Sequence, residues 1–442
     1  MTTEQSYIPA VRDQYERYPY PPRDPEEERH RLILTEINDL NRINFYCYRG
    51  RQSFRDISVL DAGGGTGDST IQWAARLRGT GSRVVYLDIS DASADMARRR
   101  AEVRGLDNIE WVKGSIHDLP EMDIGPFDFI VCTGVLHHLR DPKAGLVALL
   151  DKLKPTGSLG LMLYAKYGRQ PIYQIQQLMR LVNQGMTDPA ACIDNTKRML
   201  ASLPPGHVFR QNERYYGDYL TLGDAGIYDL FLHARDQAYT IEEVHRLLGE
   251  CGLHLTEFAT PRHRLLYRPE TVIRDPALLQ QISSLPTPAR QHVAEIVVGL
   301  ISKHEFYASR LENTAATVAE TDHIPFFYPP HTAEAGREVA RRMMAGGAQP
   351  IVANHESGFR FQLAPNPLAG QVLFRVDGRR TLKEIFAAVR REEPAFAGRS
   401  DNEIAAAFAP VFDRFRLLDW LLLRHKSVPE FDDPETLRFS GA

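Results

Sequence analysis

The segment Val59-Leu60-Asp61-Ala62-Gly63-Gly64-Gly65-Thr66-Gly67-Asp68-Ser69 constrains this chain more than any other. An apolar run ends in four glycines spread over five residues, and a helical pattern begins directly after them. Glycine lets backbone N–H groups approach a ligand closely, and the first turn of a following helix favours anionic groups. Such a strand, loop and helix imply a nucleotide-like cofactor; the plain alternative is a glycine-rich turn that binds nothing. The next apolar run, Val84–Leu87, ends at Asp88, 21 residues after Gly67, where a carboxylate can accept both hydroxyls of a ribose.

The loop sits in a regular pattern. Apolar stretches at Ile57–Leu60, Val84–Leu87, Ile109–Val112, Phe127–Cys132 and Leu159–Leu163 alternate with helical spacings near 69–78, 92–104 and 143–153. That is the rhythm of an α/β domain, a doubly wound Rossmann-like parallel sheet with helices on both faces. A helical insertion over 164–238 interrupts it, with one helix near 171–183 and an aromatic stretch from Tyr215 to His233. Thr240-Ile241-Glu242-Glu243 then opens a helix with a capping box, ended by Gly252. Leu253–Phe258 and Arg264–Tyr267 read as the strands that close the sheet, and Val293–Tyr307 as a helix.

A nicotinamide dinucleotide fingerprint requires GxGxxG. Counted from Gly63 and Gly65, its third glycine falls on Asp68, an acid where pyrophosphate would lie. S-adenosylmethionine has no phosphate, and its ammonium and sulfonium tolerate or benefit from Asp61 and Asp68. At these residues the sequence resembles the class I S-adenosylmethionine-dependent methyltransferases, over roughly 40–165 and 238–268. The resemblance implies that Asp61, Gly63, Gly65 and Gly67 meet the methionine part of the cofactor and that Asp88 holds its ribose. It implies adenine contacts from Ser115 and Ile116, where the family commonly has Asp at the position of Ser115. Thr133-Gly134-Val135-Leu136-His137-His138-Leu139 looks like the family's segment beneath the methyl donor, with Thr133 a cofactor contact.

Adjacent histidines point apart and lack a third ligand at metal-site spacing, so they read as structural or cofactor-shelf residues, with His137 as a candidate base and no metal expected. The insertion leaves from the carboxyl end of the fifth strand, the ligand side of such sheets. Its Tyr167, Tyr216 and Asp229 are candidate substrate contacts, and Tyr164 and His233 candidate catalytic groups; the alternative is that these aromatics fill a small helical core. Tyr18-Pro19-Tyr20-Pro21-Pro22 reads as an extended flap over the cofactor, or as a free arm or dimer strap.

The domain expectation is a flap and helix over 1–50, the helical part spaced by Leu32, Ile33, Ile37 and Leu40. A methyltransferase domain over 51–268, a helical linker region over 269–330 and a smaller winged-helix-like α+β domain over 331–442 follow. Residues 331–442 hold 16 Lys plus Arg against 15 Asp plus Glu, and the whole chain carries a formal net charge of −4, so no basic field exists to drive nucleic-acid binding. Four dispersed cysteines without a CxxC pair fit thiols of a reducing cytoplasm, and no apolar run reaches the length of a membrane span. The expected function is an S-adenosylmethionine-dependent methyltransferase acting on an O or N acceptor. A protein or peptide side chain is preferred, because the near-neutral C-terminal region offers a docking surface. A small-molecule methyltransferase, a non-catalytic cofactor sensor or scaffold, and a homodimer remain open.

Overall fold

The computed structural model describes residues 7–345, 351–354 and 360–431. Its centre is a mixed sheet of seven strands among the described residues. These are β1 (Ser58–Ala62), β2 (Arg83–Asp88), β3 (Ile109–Lys113), β4 (Phe127–Thr133), β5 (Leu153–Tyr164), β6 (His254–Phe258) and β7 (Lys303–Ser309), in the order β3-β2-β1-β4-β5-β7-β6. Strands β3 to β5 pair parallel, and β7 lies antiparallel between β5 and β6. The first five helices of the chain are α1 (Pro9–Arg17), α2 (Leu40–Cys47), α3 (Asp68–Arg76), α4 (Asp91–Arg104) and α5 (Pro142–Asp151). Local chemistry sets their ends: the Ser90 hydroxyl caps α4, which stops at left-handed Gly105, and Asp141 caps α5. The order in which strands are added reverses between β1 and β4, which lie parallel, and this opens a crevice at their carboxyl ends.

Two expectations for the sheet's edge are corrected. Arg264–Tyr267 is not a strand; it lies in and just after the helix Pro261–Leu266, which Thr260 caps and Pro261 starts. The closing strand is instead Lys303–Ser309, inside the region read as one helix through Tyr307. That helix, Thr287–Val298, ends at left-handed Gly299, and a mostly buried strand follows. The N-terminal helix also differs. Residues 30–35 are irregular, and α2 begins only at Leu40, where the Asp39 carboxylate accepts the Arg42 N–H.

These changes move the domain limits. A boundary at 268 would cut the sheet, because β7 is its penultimate strand. Nor is 269–330 purely helical, since β8 (His323–Phe327) pairs antiparallel with β11 (Leu421–His425) at the far end of the C-terminal region. Between them lie the helix Ala333–Met344, a hairpin of β9 (Ile351–Asn354) and β10 (Arg360–Leu363), and the helices Pro367–Phe374, Leu382–Glu392 and Asp401–Leu417. The hairpin precedes three of these helices, and no hairpin follows the last one among the described residues, so the wing of a winged helix is not seen. Ser357 and Gly358, turn-type residues between the two hairpin strands, lie outside the described residues.

One hydrophobic core runs from the sheet into the C-terminal region, joining Trp73, Phe129 and Tyr307 to Phe45, Phe412 and Leu421. A second fills the other face of the sheet around Leu60, Ile130, Leu149 and Phe306. The insertion over 164–238 is mostly helical, as expected, and has its own small core around Phe209 and Phe231. No helix among the described residues is long and apolar enough to cross a membrane.

Candidate active site

The crevice holds a cavity of about 280 Å³, walled by the glycine loop, the ends of β2, β4 and β5, the insertion and the N-terminal arm. Gly63, with φ 83°, is the tightest point of the loop: a Cβ there would stand 2.3 Å from the Val135 side chain. Gly67, with φ 97°, has another role. It is not part of the cavity wall, and its missing Cβ lets α3 approach Ala97 of α4, where a Cβ would sit at 2.8 Å. The expectation that Gly67 contacts cofactor is corrected to helix packing.

Asp88 stands at the end of β2 and faces the loop. Its Oδ2 accepts the Gly65 N–H (2.9 Å) and its Oδ1 the Ser90 N–H (2.8 Å), which leaves lone pairs for further donors. Burial and the neighbouring Glu16 charge push its carboxyl up, against the bonds from Ser90 and Gly65. Ser115 and Ile116 line the same side, where Ser115 caps a short helical turn in a reciprocal box with Asp118. Thr133, Met162 and Tyr164 line the opposite side, across β1.

The two acids of the loop behave differently. Asp68 is paired with Arg23 (Nε to Oδ1, 2.9 Å) and Arg100 (Nη1 to Oδ1, 2.7 Å). Burial would raise its pKa, but these two guanidinium groups outweigh that and hold it below the usual carboxylate range. It therefore anchors the arm. Asp61 is 2% exposed and accepts the Thr70 hydroxyl at 2.5 Å. Burial first, and then the Asp88 charge, push its carboxyl up to about 7 despite the Thr70 bond. No cationic side chain among the described residues pairs with Asp61, so it suits the ammonium of an amino-acid-like ligand. A cation bound there favours the ionised form, so affinity for S-adenosylmethionine is expected to rise with pH, by at most about tenfold per unit, and to level off above about 7. Calorimetric titrations between about pH 5.5 and 8.5 check this; an equally sloped curve for Asp61→Asn would remove Asp61 as the cause.

The N-terminal arm closes the cavity. Tyr7, Val11, Tyr15 and Tyr20 enter its wall. The Glu16 carboxylate accepts the Asp91 and Ala92 N–H groups (2.8 and 3.0 Å) at the start of α4, and the Thr66 hydroxyl donates to the Pro21 carbonyl (2.7 Å). Tyr18 stacks on Tyr228 of the insertion, with centroids 5.1 Å apart. The expected flap is thus seated on both loop and lid, and it begins with a helix, α1, that the sequence reading omitted.

Beside Tyr164 three imidazoles gather. His137, the expected base, is fully buried outside the wall; neither ring nitrogen has a partner among the described residues, and its ring stacks on Tyr164 at 3.8 Å. Burial lowers its pKa far below the usual histidine value, with His138 and Arg169 adding to the effect. Its neighbour His138 is the one that faces the cavity. His233 stacks on His138 at 3.8 Å and stands behind the wall. The Arg235 N–H donates to His233 Nδ1 (3.0 Å), so its proton resides on Nε2, 3.2 Å from the Tyr15 hydroxyl, and that hydroxyl donates to Asp229 Oδ1 (3.2 Å). Asp229, the candidate substrate contact, and Tyr164, the candidate catalytic group, both line the cavity.

Tyr216 and Tyr167 do not. The Tyr216 hydroxyl donates to the Gly168 carbonyl (2.6 Å) and its ring stacks on Phe209 inside the insertion's core; the Tyr167 hydroxyl meets His292 Nε2 (3.0 Å). Both are corrected to structural residues. His138 and Tyr15 were missed. Adjacent histidines carry no signal for which one faces a cleft, and Tyr15 lies in a stretch read only through its prolines. Three imidazoles do not make a metal centre, because no group of three ligand-type side chains able to hold an ion occurs among the described residues.

The doubly wound sheet, the acid-flanked glycine loop after β1 and the carboxylate ending β2 together resemble a class I S-adenosylmethionine-dependent methyltransferase domain. A protein-family profile described as "Methyltransferase domain" matches residues 60–159. An uncharacterised protein of Synechococcus sp. (strain ATCC 27144 / PCC 6301 / SAUG 1402/1) is 29% identical over 308 residues, 69% of this chain and 72% of that one. The tRNA 5-carboxymethoxyuridine methyltransferase of Escherichia coli (strain K12) is 35% identical over 131 residues, 29% of this chain, and the match spans about half that relative's length (47%). The fold is similar to that of PKMT2 from Rickettsia typhi, with a TM-score of 0.59 at 13% identity, covering 89% of this chain and 76% of that one. A second structure of that protein is in complex with AdoHcy, with a TM-score of 0.58 at 12% identity, covering 88% of this chain and 76% of that one.

Proposed function

We propose that this protein transfers the methyl group of S-adenosylmethionine to a slender nucleophile, such as a protein or peptide side chain. The observation that carries the reading is the size and closure of the cleft. Its volume of about 280 Å³ lies just below the range of ligand sites, roughly 300–1,000 Å³. With a cofactor over Asp88 and Asp61, the remaining end between Tyr15, Tyr164, His138 and Asp229 suits a thin group better than a fused-ring natural product.

Bound there, the cofactor supplies a methyl carbon already activated by a sulfonium. The chain's own work is then placement and exclusion of water. Asp88 and the loop fix one side of the cleft, Met162 and Tyr164 wall the other, and the arm and insertion cover both. Such placement is worth as much as ~7–11 kcal/mol of the barrier. Among the described residues the C-terminal region contributes none to the cavity wall. The four free thiols support a cytoplasmic setting.

The test is to incubate the full chain with tritium-methyl S-adenosylmethionine and a lysate of the cells that express it. Label in acid-precipitable protein or peptide is the expected result. Label only in small molecules overturns the acceptor, and saturable cofactor binding without any label supports a sensor instead.

A further inference from the structure

The cleft contains one ring nitrogen whose chemistry is fixed by what lies behind it. His138 Nδ1 is 2.6 Å from the Arg235 carbonyl oxygen. A carbonyl only accepts, so the proton resides on Nδ1 and Nε2 carries a lone pair. Nε2 makes no hydrogen bond among the described residues, and His138 is one of the residues that line the cavity. The ring is held on three sides: His233 stacks on it at 3.8 Å, His137 meets it edge-on at 4.2 Å, and Tyr164 crosses it at 5.6 Å. It cannot turn to exchange its two nitrogens without leaving the Arg235 carbonyl.

We infer that His138 is the catalytic residue of this cleft, accepting through Nε2 the proton of a neutral hydroxyl that is methylated on oxygen. The inference rests on the methyl-transfer reading above and names the acceptor atom within it. In the step, an electron pair of the acceptor oxygen forms the bond to the methyl carbon as the carbon–sulfur bond breaks, and sulfur keeps that pair. The hydroxyl proton passes to His138 Nε2, which leaves a neutral methyl ether, a neutral thioether and an imidazolium whose Nδ1–H still donates to Arg235.

The surroundings set which acceptor such a base serves. Burial lowers the His138 pKa to about 4, helped by the Arg169 charge and opposed by Asp236 and the Arg235 carbonyl. Arg169 lies against Tyr164 and is paired with Asp236 at 2.9 Å, so its charge is shared. The other neighbours, His137 and His233, are held neutral by burial. A base this weak does not take a proton from an ammonium, which is a far weaker acid. A hydroxyl becomes strongly acidic as its oxygen gains a methyl group, and then a weak base suffices. The same weakness keeps Nε2 unprotonated throughout the neutral range.

The test compares the full chain with His138→Gln, using tritium-methyl S-adenosylmethionine and the expressing-cell lysate. The glutamine keeps a hydrogen-bonding amide but takes no proton. Calorimetry with S-adenosylmethionine should give affinities within about threefold of each other, which separates this inference from the methyl-transfer reading itself. Labelled product should be stable to alkali and not retained on cation exchange, as an ether is, and the substitution should lower its formation at least ~100-fold. With S-adenosylmethionine saturating at every pH, the wild-type rate should be level between about pH 6 and 8, and that of the variant should rise about tenfold per pH unit as the acceptor ionises by itself. Label released by alkali as methanol or retained as an amine overturns the hydroxyl assignment. A variant as fast as wild type, or slower with an unchanged pH profile, overturns the role of His138. Absence of label from every fraction overturns the methyl-transfer reading and this inference with it.

Discussion

Replacing Asp88 with alanine is expected to weaken S-adenosylmethionine binding at least ~100-fold. A hydrogen bond to a charged group contributes about 1.5–3 kcal/mol, and two ribose hydroxyls on one carboxylate make the loss about 3 kcal/mol or more. Asp88 also accepts the N–H groups of Gly65 and Ser90, so its removal frees the loop that shapes the rest of the cleft. The Asp88→Asn substitution retains one acceptor oxygen, and its affinity should fall between those of wild type and the alanine variant. Titration calorimetry at about pH 8, above the Asp61 transition, reads the effect without interference from that group. An alanine variant that keeps its fold by circular dichroism and binds within about tenfold of wild type would show that the ribose is held elsewhere.

Asp419→Ala is expected to destabilise the whole molecule by about 3–5 kcal/mol. Asp419 is 2% exposed, and it accepts from Arg264 Nη1 (2.6 Å), Arg42 Nε (2.7 Å) and the Tyr46 hydroxyl (2.8 Å). The substitution leaves Arg264, whose side chain is 1% exposed, as a buried cation without its carboxylate. Because Arg42 and Tyr46 belong to α2 and Arg264 to the helix after β6, one carboxylate ties the C-terminal region to both. Urea unfolding followed by tryptophan fluorescence measures the loss; a midpoint unchanged from wild type would mean that water or rearranged partners satisfy these groups. For the same reason a chain ended at residue 330 is not expected to keep its cofactor site. It would lose β11, the partner of β8, and half of a core that continues through Phe45 and Trp73.

The parts of the site nearest the glycine loop were readable because they depend on local chemistry. Asp61, Gly63, Gly65 and Asp88 occupy consecutive turns of chain whose strand and helix signals are strong, and all four line the cleft. Ser115, Ile116 and Thr133 follow from the same strand rhythm. The acceptor end was less readable. Whether His137 or His138 faces the cavity depends on a short turn, Leu136–His138, with no periodicity to read. Tyr164 and Asp229 were candidates, but so were Tyr167 and Tyr216, and only the packing of the insertion separates wall from core.

The parallel half of the sheet, the cofactor loop and the acids around it follow from the order of residues along the chain. These rest on short-range physics: apolar runs that must be buried on both faces, glycines that alone tolerate the loop's dihedrals, and caps within three residues of each helix start. It takes the folded molecule to show that β7 closes the sheet, that α1 lays Tyr15 over the cleft, and that the C-terminal region shares the central core. Those outcomes join residues more than a hundred positions apart, such as Tyr15 with His233 and Arg42 with Asp419. Their energies come from burying charge and apolar surface together, and that burial exists only once the distant segments meet.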